Sequence, residues 1–263
     1  MKLEVIPNRD SLAYRELYGV PNVTSIYRGT LRYVGWANVF NAFKALDLLA
    51  ASHKTKATNW RELMLERAGA VVGRHNEKSR RVMYESNSSS SYTGLIEQAL
   101  YLSDVADVPA AINAFDWLGL SDEEKASKIP LTARTQTPID NLCALLESRL
   151  AYDRSEKDMV AMFHSITGRF PSGAREVHTS RLLAFGEPGG VSAMSSTVGY
   201  TTAIAAELLL NGTIKDTGCI IPTHRSVYAP MLARLKQFNI TWTEAVRVIP
   251  GPSPRGPNPS LEE

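Results

Sequence analysis

Apolar residues recur at helical spacing over residues 36–49, where Trp36, Val39, Phe40, Phe43, Leu46 and Leu49 fall on one stripe. That pattern predicts an amphipathic helix with one face in a core. The same periodicity predicts helices over residues 58–70, 95–102, 110–118 and 139–150. Thr137 followed by Pro138 supplies an N-cap and a first helical residue for the last of them. Between the second and third helices, "RHNEKSRRVMYESNSSSSYTG" breaks the period with charge followed by serines. A run such as Ser88 to Ser91 cannot offset its ordering entropy by apolar burial, so a mobile surface loop is expected. Residues from about 37 to 150 read as mostly helical, and the helical insert is set at 51–139.

The period then changes. "KDMVAMFHSI" is apolar on both faces and "REVHTSRLLAF" is rich in strand formers, with turn-forming "TGRFPSG" between them. A hairpin with one well-buried strand is expected. "GEPGGVSAMSSTVGYTTAIAAELLLNGTI" reads as a glycine-rich approach to a long helix that Ser192 caps and Gly212 ends. "GCIIP" is expected to be a buried strand, and "SVYAPMLARLKQF" a helix with Pro230 near its first turn. The five prolines and two glycines of the last stretch predict an extended tail over 248–263. At the other end, "KLEVI" is strand-like and stops at the turn formers of "PNRDS".

Composition narrows this little. With 263 residues, 44% of them hydrophobic, the chain can bury a sizeable core in one large domain or two ordinary ones. A net charge of +2 argues against nucleic acid as a partner. Apolar stretches such as "AIAAELLL" fall well short of the roughly 20 residues a membrane helix needs, and no secretory signal opens the sequence. No membrane partner and a cytoplasmic location are expected. Cys143 and Cys219 lack partners at metal or redox spacing and read as buried free thiols. The five histidines form no HxxxH or HExxH pattern, so no metal site is expected; His164, His178 and His224 read as structural.

Two features carry possible chemistry. The glycines of "FGEPGGVSAM" precede a helix, where backbone N–H groups can cradle phosphate, yet their spacing is not GxGxxG. A plain strand-to-helix turn is the favoured reading. The other feature is "SIYRGTLRYVGW". If it is extended, Arg28 and Arg32 project to one side with the Thr30 hydroxyl between them, and Arg9 of "PNRDS" is able to join from a neighbouring strand. Guanidinium forks bind carboxylates bidentately, which suits a ligand with several carboxylates. The alternative is that these arginines form ordinary ion pairs with Asp10 and Glu16.

The same residues carry a resemblance. "YRGTLRY", preceded by "PNRDS", resembles the substrate-domain signature of the saccharopine reductases, the glutamate-forming saccharopine dehydrogenases. "FDWLGL", "IDNLCALLESRLAYDRSEKDMVAMFHSI" and "GGVSAMSSTVGYTTAIAAELLLNGTIKDTG" extend it over residues 3–242. The middle of these is most similar to the fungal-type, monofunctional enzymes, and the chain resembles their C-terminal portion. The resemblance implies an NADPH-dependent enzyme of lysine synthesis by the α-aminoadipate route. Its reaction reduces the imine of L-glutamate and aminoadipate semialdehyde to saccharopine, so the small-molecule partners are those three compounds. Matched by motif position, Arg9, Thr30, Leu31 and Arg32 are the implied substrate-binding residues, with Leu31 acting through backbone or packing and Arg28 a secondary candidate.

The implied architecture is α/β. A mixed-sheet substrate and dimerisation domain occupies 1–50 and 140–190 and is interrupted by the helical insert. Residues 191–247 form a segment that completes a Rossmann-type domain and leaves Val198, Ile204 and Leu208 as an apolar patch without it. The family's GxGxxG motif, the main NADP-binding element, is absent from this sequence, and no catalytic proton donor or cofactor-binding residue is assigned. The chain is therefore expected to be a truncated enzyme, inactive alone, and a possible homodimer. The competing expectations are a non-catalytic remnant that dimerises or binds an acidic metabolite, and a basic interaction module centred on Arg74 to Arg81.

Overall fold

The computed structural model describes residues 2–8, 10–75, 91–133 and 136–250. Ser88 to Ser90 of the serine run, most of the basic cluster after Arg74, and the proline-rich tail beyond Pro250 lie outside the described residues. The chain forms two compact units, Met1–Ala151 and Tyr152–Glu263.

In the first unit, strands β1 (Leu3–Pro7) and β2 (Gly29–Tyr33) pair antiparallel, from Leu3 opposite Tyr33 to Pro7 opposite Gly29. A four-residue helix, α1 (Tyr14–Leu17), lies between them in sequence. The helices that follow are α2 (Trp36–Ala45), α3 (Trp60–Arg74), α4 (Tyr92–Leu102), α5 (Val108–Leu118), α6 (Glu123–Lys128) and α7 (Pro138–Leu150). Their starts are set by side chains that accept otherwise unpartnered N–H groups: Asn59 from Glu62, Ser91 from Gly94, Asp107 from Ala110, Asp122 from Lys125 and Thr137 from Asp140. The predicted stripe on α2 is buried at Phe43, and Leu46 and Leu48 are buried just past its end, in a core shared with Trp60, Met64, Leu100 and Phe115. Phe43 and Phe115 stack with ring centroids 5.5 Å apart.

In the second unit, β3 (Met159–Arg169), β4 (Arg175–Phe185) and β5 (Thr243–Ile249) form an antiparallel sheet in that order. Helices α8 (Ala193–Leu210) and α9 (Arg225–Leu235) pack together, joined by a two-pronged ion pair of Arg234 with Glu207 at 2.8–2.9 Å. The core here is small: Leu182 of β4, Ile204 and Leu208 of α8, Ile214, Val227, Met231 and Leu235 of α9, and Ile240.

Several expectations need correction. The hairpin forms, but of its 22 strand residues only Leu182 is buried, because α8 and α9 cover little of the sheet. "GCIIP" is not a strand; it is irregular, with Ile220 and Ile221 exposed. Cys143 and Cys219 are exposed, Cys143 because Leu142 and Leu145 take the buried stripe of α7. Ile204 and Leu208 are buried against α9 and Leu182, so of the three residues expected to form an apolar patch only Val198 is exposed. Pro230 sits inside α9 rather than in its first turn. Strand β5 was not expected at all: none of its residues is buried, so the sequence there carries little core signal.

Candidate functional site

The arginine motif builds one face of the β1–β2 ribbon. The close strand approach at its start requires Gly29, where an added Cβ would lie 2.4 Å from Val5 Cγ1. The ladder continues one step past the strands, as Asn8 N donates to Arg28 O at 3.1 Å. Alternation then puts Arg28, Thr30 and Arg32 on one face, opposite Asn8, Ile6 and Glu4. Asn8 Nδ2 donates to Thr30 Oγ1 at 3.1 Å, which fixes the hydroxyl between the two arginines. Leu31 alternates to the other face and is half-buried. Arg9 follows β1 directly in sequence but lies outside the described residues.

The two guanidinium groups are held by aromatic rings rather than by carboxylates. Arg28 Cζ lies 3.9 Å from the Tyr14 ring centroid, and its backbone N donates to Ser11 Oγ at 2.9 Å. Arg32 Cζ lies 5.3 Å from the Trp36 ring centroid, and Nη1 donates to its neighbour's carbonyl, Leu31 O, at 3.3 Å. Arg28 and Arg32 form no ion pair with Asp10 or Glu16. Asp10 accepts from Leu12 N within its own turn. Glu4, directly across from Arg32, instead accepts from Ala37 N at 2.8 Å and serves the N-terminus of α2. Among the described residues neither arginine has a carboxylate partner. Arg28 Nη1 is shut off from solvent with no acceptor.

Such a face can hold carboxylates by charge-assisted, two-pronged hydrogen bonds, with Thr30 adding a hydroxyl. Sequence reasoning found the arginines and Thr30 but missed their supports, Tyr14, Asn8 and Trp36. Trp36 was legible, since it follows Arg32 by four residues; Tyr14 comes from a separate element that only folding brings near.

The glycine-rich turn after β4 is a second place where an anion might have been held, and the protein fills it itself. Asp158 accepts from Ala193 N at 2.6 Å and from Met194 N at 2.9 Å, at the start of α8. These donors, Met194 first and then Ala193, hold its carboxyl below the usual carboxylate range. A Cβ at Gly186 would lie 2.1 Å from Asp158 Oδ1 and 2.8 Å from Ala193 N, so that glycine makes room for the carboxylate. The favoured strand-to-helix reading holds, and the turn does not fit a dinucleotide: its N–H donors are occupied and a negative charge sits where a pyrophosphate would lie.

Fold and site together define a mixed α/β protein that presents an arginine face without internal carboxylate partners among its described residues, and whose glycine-rich turn is closed to phosphate. Residues 1–240 match the family described as saccharopine dehydrogenase C-terminal domain, and the chain belongs to that family. It is 32% identical over 233 residues to saccharopine dehydrogenase [NADP(+), L-glutamate-forming] of Saccharomyces cerevisiae, covering 88% of this chain and 48% of that protein. It is 33% identical over 249 residues to the mitochondrial alpha-aminoadipic semialdehyde synthase of Bos taurus, covering 92% of this chain and 24% of that protein. The solved structure of apo histidine-tagged saccharopine dehydrogenase (L-Glu forming) from Saccharomyces cerevisiae superposes with a TM-score of 0.77 at 30% identity, over 93% of this chain and 52% of that one. The chain thus spans about half the length of the fungal relatives it matches and a quarter of the animal one. No helix among the described residues is long and apolar enough to cross a membrane.

Proposed function

We propose that this chain is the substrate-binding part of a saccharopine reductase, the enzyme that joins L-glutamate to aminoadipate semialdehyde and reduces the imine to saccharopine with NADPH. The observation that carries this reading is the row Arg28, Thr30, Arg32: two guanidinium groups braced on aromatic rings, with no described carboxylate neutralising them, in a chain of this family. A product with three carboxylates is the kind of ligand such a face selects. Arg32 and Arg9 grip carboxylates, Thr30 contributes its hydroxyl, and Leu31 contributes backbone and packing. Their work is binding and orientation, which holds the imine still for reduction.

NADPH supplies the hydride when bound, and the Asp158-filled turn argues against that turn as the seat of its phosphates. We assign the cofactor's site to sequence of the longer relatives that this chain does not span. The same reading makes residues 1–50 and 140–190 a substrate and dimerisation domain, a homodimer that sedimentation of the purified chain would detect. Calorimetric titration with saccharopine tests the function. Binding by the wild-type chain that Arg9→Ala removes is expected; a folded chain that binds no saccharopine would overturn the reading.

A further inference from the structure

Arg28 is the polar group on this face that the reading above leaves without a task. Its guanidinium carbon lies 3.9 Å from the Tyr14 ring centroid, one of its terminal nitrogens is closed to solvent, and no described residue accepts a hydrogen bond from any of its side-chain N–H groups. A buried donor without an acceptor is uncommon in folded proteins and calls for a partner.

Arg28 and Arg32 are also drawn apart. Their Cα atoms are four residues apart along an extended segment, about 13 Å at strand rise. Tyr14 and Trp36, which hold them, come from different elements beyond opposite ends of β2. Each guanidinium is held on its own ring, so each fork can take its own carboxylate.

We infer that Arg28 is a second carboxylate-binding fork, which grips a different carboxylate of the ligand from the one held by Arg32 and so selects acids whose carboxylates are well separated. This rests on the proposed substrate-binding role of the face. Tyr14 acts as a positioning residue, since its ring holds the Arg28 guanidinium in place for the ligand.

The test is calorimetric titration of the full chain and of Arg28→Gln, Arg28→Lys and Arg32→Ala, with saccharopine and with straight-chain dicarboxylates from glutarate to suberate. Loss of one charge-assisted fork is expected to weaken saccharopine binding about 10- to 100-fold in Arg28→Gln. Arg28→Lys keeps the cation over Tyr14 but not the fork; it is expected to lose a similar factor with an unchanged melting temperature, and it decides the matter should Arg28→Gln fail to fold. Saccharopine affinity that is unchanged in Arg28→Lys but lost in Arg32→Ala would overturn the second fork and leave the saccharopine reading intact. A wild-type chain that ignores saccharopine yet binds the longer dicarboxylates through Arg28 would keep the fork and remove that reading. Binding of no carboxylate in an Arg28-dependent way would overturn the fork.

Discussion

Asp158 receives N–H donors from Met194 and Ala193, and they hold its carboxyl below the usual carboxylate range. A carboxyl whose pKa is lower folded than unfolded contributes stability that is fully present above the unfolded value of about 3.9 and is lost as pH falls through the folded one. Thermal melts between neutral and strongly acidic pH should therefore show Asp158→Asn less stable than wild type at neutrality, with the two curves converging in acid. Parallel curves would show that the carboxylate charge does not stabilise the start of α8. On the β1–β2 ribbon, Arg32→Ala is expected to weaken saccharopine binding by about 10- to 100-fold, the worth of one charge-assisted fork, and an unchanged titration would remove Arg32 from the site. The alternation of Arg28, Thr30 and Arg32 was legible in the sequence because strand geometry fixes it locally. What was not legible is that Glu4, opposite Arg32, turns to the N-terminus of α2 and leaves the arginine without a carboxylate.

Helix α8 is held to its unit by Ile204 and Leu208, which meet Val227, Met231 and Leu235 of α9 and Leu182 of β4. That core is small, so each member counts for much of it. Leu208→Ala should cost about 2–5 kcal/mol, read as a lowered denaturant midpoint, because the cavity it leaves has few neighbours able to close it. Pro230 lies inside α9 and cannot donate to the carbonyl one turn back. Pro230→Ala restores that donor and should raise stability by on the order of 1 kcal/mol, read as a higher melting temperature, after the greater freedom of the unfolded chain is subtracted. A lowered melting temperature would mean that the ring packs better than the missing bond costs. Helix positions were easy to read because their signals lie within a turn or two: Thr137 ahead of Pro138, and Ser192 ahead of Ser195, cap the helices they were expected to cap. Burial of the strands was harder, since an apolar strand residue is buried only if another element lies over it.

At the scale of the whole molecule, the chain matches its family across residues 1–240 yet spans about half of the fungal relatives, and its one glycine-rich strand-to-helix turn is filled by Asp158. The purified chain, given saccharopine and NADP in one direction or glutamate, aminoadipate semialdehyde and NADPH in the other, should show no change in NADPH absorbance. Turnover at the rate of a complete enzyme would overturn the assignment of the cofactor to sequence outside this chain. By itself the sequence determined most of the longer helices, the caps at Thr137 and Ser192, the arginine-bearing strand, and the family. Each of these is written in residues a few positions apart, where backbone geometry relates one side chain to the next. Only the tertiary structure decided that Asp158 would fill the turn 35 residues on, that Tyr14 and Trp36 would brace the arginines, and that Ile204 and Leu208 would be covered while most of the sheet would not. Those outcomes depend on which distant elements pack together, and local periodicity carries no record of the partner.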